Sequence, residues 1–125
     1  MIFKALSVVC PAGFQIANGE KTIETRRWEP DVLPLRDLLI IENEDRLSSG
    51  DMPADRNGRA VAIVDVIEVK KWARDELNAA CASYWEDGWL GWKLANVRKI
   101  RSGCVVPAKL RIYEVELEKF EIEEE

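Results

Sequence analysis

The chemistry of this chain is concentrated in Gly19-Glu20-Lys21-Thr22-Ile23-Glu24-Thr25-Arg26, with Trp28 just behind. Brought into one cleft, Lys21 and Glu24 can work in two ways. The carboxylate can hold the lysine charged and orient it, or a desolvated lysine with a lowered pKa can act as a base. The residues alone leave both open. Arg26 carries a rigid donor fork suited to a phosphate or a carbonyl edge. Trp28 offers a π-face for a stacked base, worth roughly 1–3 kcal/mol per base in single-strand binders. The plain alternative is a Glu24–Arg26 ion pair, contributing roughly 0–1 kcal/mol if exposed.

These side chains need elements to position them. Pro11 to Asn18 is predicted to be a short helix, with proline at its start and Gly19 just past its end. Phe14 and Ala17 are expected on one side of it. Thr22 to Trp28 is predicted to be a strand. Alternation then puts Thr22, Glu24, Arg26 and Trp28 on one face and Ile23 and Thr25 on the other. Lys21 sits at the turn between helix and strand.

The remaining pattern is mostly strand. Phe3–Val9, Leu35–Glu42, Arg59–Lys70, Trp92–Ile100 and Leu110–Phe120 are predicted strands, the last with a bulge near Tyr113. Residues 43–58 form a polar loop long enough to be suspected of function or disorder. Trp72–Ser83 is predicted to be a helix with Leu77, Ala80 and Cys81 inward. Five or six strands with two or three short helices make an α+β domain built on a small closed or nearly closed barrel.

Composition excludes several classes. At 125 residues and 47% hydrophobic, the chain is one globular domain. The reading is a domain over 1–120 and an acidic, mobile tail over 121–125. With no histidine, the commonest general base and zinc ligand are missing. Cys10, Cys81 and Cys104 are scattered and odd in number, so they are read as buried thiols in a reducing cytoplasm; no metal site and no cofactor are expected. The apolar start is short and broken by Lys4, so a first strand is expected rather than a signal, and no run is long enough to span a membrane.

The net charge of −5 argues against wholesale coating of nucleic acid, but the charge is unevenly placed. Lys93, Arg98, Lys99, Arg101, Lys109 and Arg111 fall in a stretch free of Asp and Glu, while residues 112–125 hold seven glutamates and one lysine. Such asymmetry marks a local anionic-ligand site, or else a solvated face. Trp72, Trp85, Trp89 and Trp92, with Tyr84, form an aromatic cluster that is either core or platform. Glu86 or Asp87, between Trp85 and Trp89, is a candidate acid–base group on a gate.

Gly19, Lys21, Glu24 and Arg26 fit G-x-K-x-x-E-x-R, and in this the chain resembles the ASCH domain family, a branch of the PUA-like barrels. Ala5-Leu6-Ser7-Val8 before Pro11, Trp92 to Arg98, and Val106-Pro107-Ala108-Lys109 are similar to further family segments. The resemblance implies a β-barrel with a cleft beside the signature that binds RNA or a nucleoside. Gly19, Lys21, Glu24, Arg26, Trp28, Arg98 and Lys109 are the expected ligand residues. It also implies hydrolase alternatives: one branch deacetylates N(4)-acetylcytidine and another cleaves RNA. Lys21 and Glu24 would then be catalytic. In the deacetylating branch the residue three after the lysine is a nucleophilic threonine, whereas this chain has Glu24. A protein-interaction domain using the Trp-rich face is the third reading.

Overall fold

The computed structural model describes residues 1–44, 57–101 and 104–123. Its elements in chain order are β1 (Ile2–Val9), α1 (Ala12–Ala17), β2 (Ile23–Arg26), β3 (Leu35–Asn43), β4 (Asn57–Lys71), β5 (Leu90–Lys99), β6 (Val105–Pro107) and β7 (Ile112–Glu116), with a 3-10 turn at Arg74–Glu76. One sheet runs β2-β5-β4-β3-β1-β7, and β6 pairs with β4. β1 and β3 are parallel; the other pairs are antiparallel. The expected strand-dominated, PUA-like barrel takes the form of a curled half-barrel. The short β6 adds a strand, and among the described residues the helical content is one lone helix and a 3-10 turn.

The curl follows from β4. At fifteen residues it is long enough to pair with β3, β5 and β6. Its registers with β3 and β5 shift between Leu35 and Leu38, Ile40 and Ile41, Ile63 and Asp65, and Val66 and Glu68. Each shift bends the sheet and increases its twist. The bulge expected near Tyr113 is not there: β1 and β7 pair in unbroken register from Ile2↔Glu116 to Leu6↔Ile112. The non-alternating residues Leu110 and Arg111 precede β7 and belong to the segment leading into it.

Inside the curl, Leu6, Val8, Leu38, Ile40, Val64, Val66 and Trp92 pack around α1. The helix turns Gly13, Ile16 and Ala17 inward, an i, i+3, i+4 face, and leaves Phe14 half-exposed, so Phe14 and Ala17 do not share a side as expected. Gly13 permits this approach, because a Cβ there would lie 2.6 Å from the Glu42 Cβ. The Phe14 N–H donates to Glu42 Oε2 at 3.0 Å. A second cluster around Phe3, Leu39, Ile63 and Ile100 fills the opposite face.

The predicted helix over Trp72–Ser83 is replaced by the 3-10 turn and irregular chain. Its carbonyls are used elsewhere: Ala79 O accepts from the Thr22 and Ile23 N–H groups, and Ala80 O accepts from Lys21. Cys81 then takes a φ of 53°, which ends any helix. Ala80 is inward as expected, but Cys81 is exposed. Cys10 is exposed too and Cys104 is partly so, which corrects the reading of three buried thiols. The loop expected over 43–58 lies mostly outside the described residues; Asn43 ends β3, and Asn57 and Gly58 open β4. Nor does the tail reading hold for residues 121–123. Ile122 bridges to Ile100 and packs on the second cluster.

Candidate functional site

A half-barrel has a seam. Here the two sheet edges are β2 and β7, and among the described residues they do not pair. A cleft of about 480 Å³ opens along that seam. Its walls come from the end of β1, from β2 with the following Arg27 and Trp28, and from the Lys109–Arg111 segment before β7.

The signature residues separate into roles. Gly19 takes a φ of +81° just past the α1 C-cap, Asn18, and its N–H donates to Ile16 O at 3.1 Å. That left-handed turn, favourable for glycine, sends the chain from helix into β2. Lys21 is buried beneath the cleft and does not line it. Its Nζ donates to Ala80 O at 2.5 Å and lies 3.5 Å from Glu24 Oε1. Glu24 is buried but faces the cleft. Its Oε1 accepts from the Thr25 N–H at 3.0 Å, and its Oε2 accepts from Arg26 Nη2 at 3.3 Å. Arg26 Nη2 also donates to Ser7 O at 3.0 Å, tying β2 across to β1. Glu24, Arg26 and Trp28 line the cleft together with Thr25 and Arg27, whereas Thr22, expected on the same face as Glu24, lies with Ile23 outside it.

Trp28 stands edge-to-face on the fully buried Trp92, with centroids 5.0 Å apart, and Trp92 Nε1 donates to Trp28 O. The Arg111 guanidinium lies 4.2 Å from the Trp28 ring centroid, a cation–π contact closing one side of the aromatic wall. Trp89 forms a further wall, with Arg27 4.8 Å from its centroid. Glu86 pairs with Arg27 at 3.7 Å in exposed surroundings, and neither Glu86 nor Asp87 lines the cleft. Trp72 and Trp85 pack together away from it.

The sequence reading missed Ser7 and Tyr113. Their hydroxyls are 2.7 Å apart. Tyr113 donates its single proton to Pro107 O at 2.9 Å, so Ser7 must donate to Tyr113. Burial pushes the Tyr113 phenol upward, against hydrogen bonds from Ser7 and the Lys109 backbone. A phenol held protonated cannot take the Ser7 proton, so this pair is an anchor rather than an activated nucleophile. What it anchors is the segment 107–111, where Arg111 sits at a strained φ of 61°. The available signal was Ser7 itself, a lone hydroxyl within the apolar strand Phe3–Val9.

The basic run is divided. Lys109 and Arg111 line the cleft, and neither has a carboxylate partner among the described residues. Arg98, expected at the ligand, is instead fixed between Asp37 Oδ1 at 2.5 Å and Asp65 Oδ1 at 2.8 Å. The cleft lining thus carries four cations, Arg26, Arg27, Lys109 and Arg111, against the single carboxylate of Glu24. In a chain of net charge −5, that is a focused positive site. No cluster of metal-ligand type occurs among the described residues.

The ASCH domain family model matches residues 6–121. The chain belongs to the ASCH domain family. Among solved structures it is similar to the ASCH protein from Zymomonas mobilis, with 19% identity, 86% of this chain and 73% of that chain covered, and a TM-score of 0.52. A tyrosine-to-phenylalanine variant of the same bacterial protein matches at 18% identity, covering 86% of this chain and 75% of that one, with a TM-score of 0.49. At this identity the likeness concerns the fold. No curated protein matches the chain significantly. Among the described residues, no helix is long and apolar enough to cross a membrane.

Proposed function

We propose that this ASCH domain binds a nucleotide unit of RNA, or a free modified nucleoside, in the seam cleft. The observation that carries this reading is the lining itself. Two indole walls, an excess of cations and one buried carboxylate converge on a space of about 480 Å³, within the roughly 300–1,000 Å³ usual for small-ligand sites. Trp28 and Trp89 supply aromatic surface for a base. Glu24 has acceptor capacity left beside Arg26, whose other N–H groups can donate, so the two form an acceptor–donor edge that suits a base's polar rim. Lys109 and Arg111 suit a phosphate.

The test is a titration followed by intrinsic tryptophan fluorescence, using the four ribonucleoside 5′-monophosphates and the oligonucleotide rU12 over a range of KCl. Saturable quenching that fades with salt, and that Trp28→Leu and Glu24→Gln each weaken, is expected. Failure of every probe to bind would remove the reading.

A hydrolase on the same ligands is the second reading, favoured by the buried contact between Lys21 and Glu24 beside the cleft. In it Glu24 is the group that can exchange a proton with substrate or water. Lys21 aims its N–H donors at Ala80 O and Glu24, so it acts by orienting the carboxylate. Product formation that vanishes in Glu24→Gln while nucleotide quenching persists would establish this reading.

A further inference from the structure

The acidic C-terminal segment and the basic end of β5 are two features of the sequence that the cleft does not use, and the fold joins them. Ile122 bridges to Ile100. The Arg101 N–H donates to Glu121 O at 2.8 Å, and the Glu123 N–H donates to Lys99 O at 2.7 Å. Through this pairing the Glu123 carboxylate reaches Lys99 at 3.7 Å and the Glu121 carboxylate reaches Arg101 at 3.5 Å. Ile122 faces the second hydrophobic cluster, and Phe120 packs edge-to-face on Phe3. The apolar residues therefore dock the segment, and its carboxylates neutralise the two cations.

This patch connects to the cleft through α1. Ala12, at one end of the helix, lines the cleft. Asn18, at the other end, accepts a hydrogen bond from Lys99 Nζ at 2.9 Å. Six helical residues span about 9 Å, which separates the cleft lining at Ala12 from the Asn18 end of the helix where Lys99 is held.

We propose that Lys99 and Arg101 form an outer contact for the sugar–phosphate backbone of single-stranded RNA, and that Glu121 and Glu123 occupy it in the free protein as an internal competitor. The proposal rests on the RNA reading of the cleft. A strand held in the cleft would run along α1 and displace the two carboxylates. Each of those pairs is exposed and weak, so a polyanion can replace them at small cost.

The experiment measures the affinity of fluorescein-labelled rU12 from low to moderate KCl. Glu121→Gln/Glu123→Gln keeps the backbone bridge and the packing of Phe120 and Ile122 while removing both competing charges. It is expected to bind rU12 about fivefold more tightly at low salt, the equivalent of two weak surface pairs. The slope of log affinity against log salt should stay near the wild-type value, because the strand contacts the same two phosphates in both proteins. Adding Lys99→Gln/Arg101→Gln should abolish the gain and make the slope shallower by about 1.4, for two lost phosphate contacts on a single strand, while nucleoside monophosphate affinity stays constant throughout. Equal affinity in wild type and the glutamine variant would overturn the proposal. A gain in the glutamine variant that survives Trp28→Leu, with no mononucleotide binding, would instead keep the outer contact and remove the cleft reading.

Discussion

Glu24 lies between Lys21 and Arg26, and Asp65 lies between Arg36 and Arg98; both carboxylates are buried. Their surroundings differ in what is left over. Asp65 receives four donors: the Asp37 N–H and Arg98 on Oδ1, and Asn96 and Arg36 on Oδ2. That fills the acceptor capacity of a carboxylate. Asp37 and Asn96 both sit at positive φ, 58° and 51°, on strands flanking β4. Asp65 is thus a staple that holds two strained residues where the sheet bends. Glu24 receives three donors and opens on the cleft, with capacity to spare. A buried ion network closes a scaffold when it is saturated, and keeps the capacity to take a ligand when one place is left open.

This contrast can be broken most forcefully at Asp65. Asp65→Ala takes one acceptor from each of Arg36 and Arg98 and leaves two strained turns without theirs. It should cost about 3 kcal/mol and lower the melting temperature by roughly 10 °C, while nucleotide affinity measured well below the melt stays unchanged. Urea and thermal melts paired with a fluorescence titration check both halves.

Glu24→Gln should do the reverse. Its amide oxygen can still accept from Lys21 and Thr25, so stability should fall by about 1 kcal/mol. Nucleotide affinity should fall by roughly tenfold or more, through loss of a charged hydrogen-bond partner.

Acid sharpens the distinction. Burial alone would raise the Asp65 carboxyl, but hydrogen bonds from the Asp37 N–H, Asn96 and Arg98 outweigh it and hold the group below its ordinary value. A depressed carboxyl stabilises the fold above its unfolded pKa, about 3.9, and that stability is lost as pH falls through the lower folded value. Below about pH 4, wild type should therefore lose its stability advantage over Asp65→Asn. An advantage that persisted undiminished through this window, followed by circular dichroism melts, would show that the staple does not depend on the charge.

The smallest effect belongs to Lys109→Gln. Stability should hardly change, and the salt slope for rU12 should become shallower by about 0.7, one phosphate contact on a single strand.

Much of the cleft was legible because it is local. The turn at Gly19 follows from helix-stop chemistry, and Glu24, Arg26 and Trp28 reach one cleft within ten residues of it, although Thr25 and Arg27 join them and Thr22 does not. What was illegible depends on distant register. Arg98 reads as a free cation until the β4–β5 pairing brings Asp65 and Asp37 to it. The Trp72–Ser83 segment reads as a helix until β2 takes the carbonyls of Ala79 and Ala80. Ser7 and Tyr113 are 106 positions apart, and only the β1–β7 pairing brings their hydroxyls together.

Glu24 is proposed to serve a ligand where Asp65 serves the sheet. The most direct test of this contrast is one calorimetric titration of wild type, Glu24→Gln and Asp65→Asn with the nucleoside monophosphate that quenches wild-type fluorescence most strongly, run beside their melts. Asp65→Asn is expected to bind like wild type but melt lower, and Glu24→Gln to melt near wild type but bind at least about tenfold more weakly. Equal affinity in wild type and Glu24→Gln, or loss of binding in a folded Asp65→Asn, would contradict it.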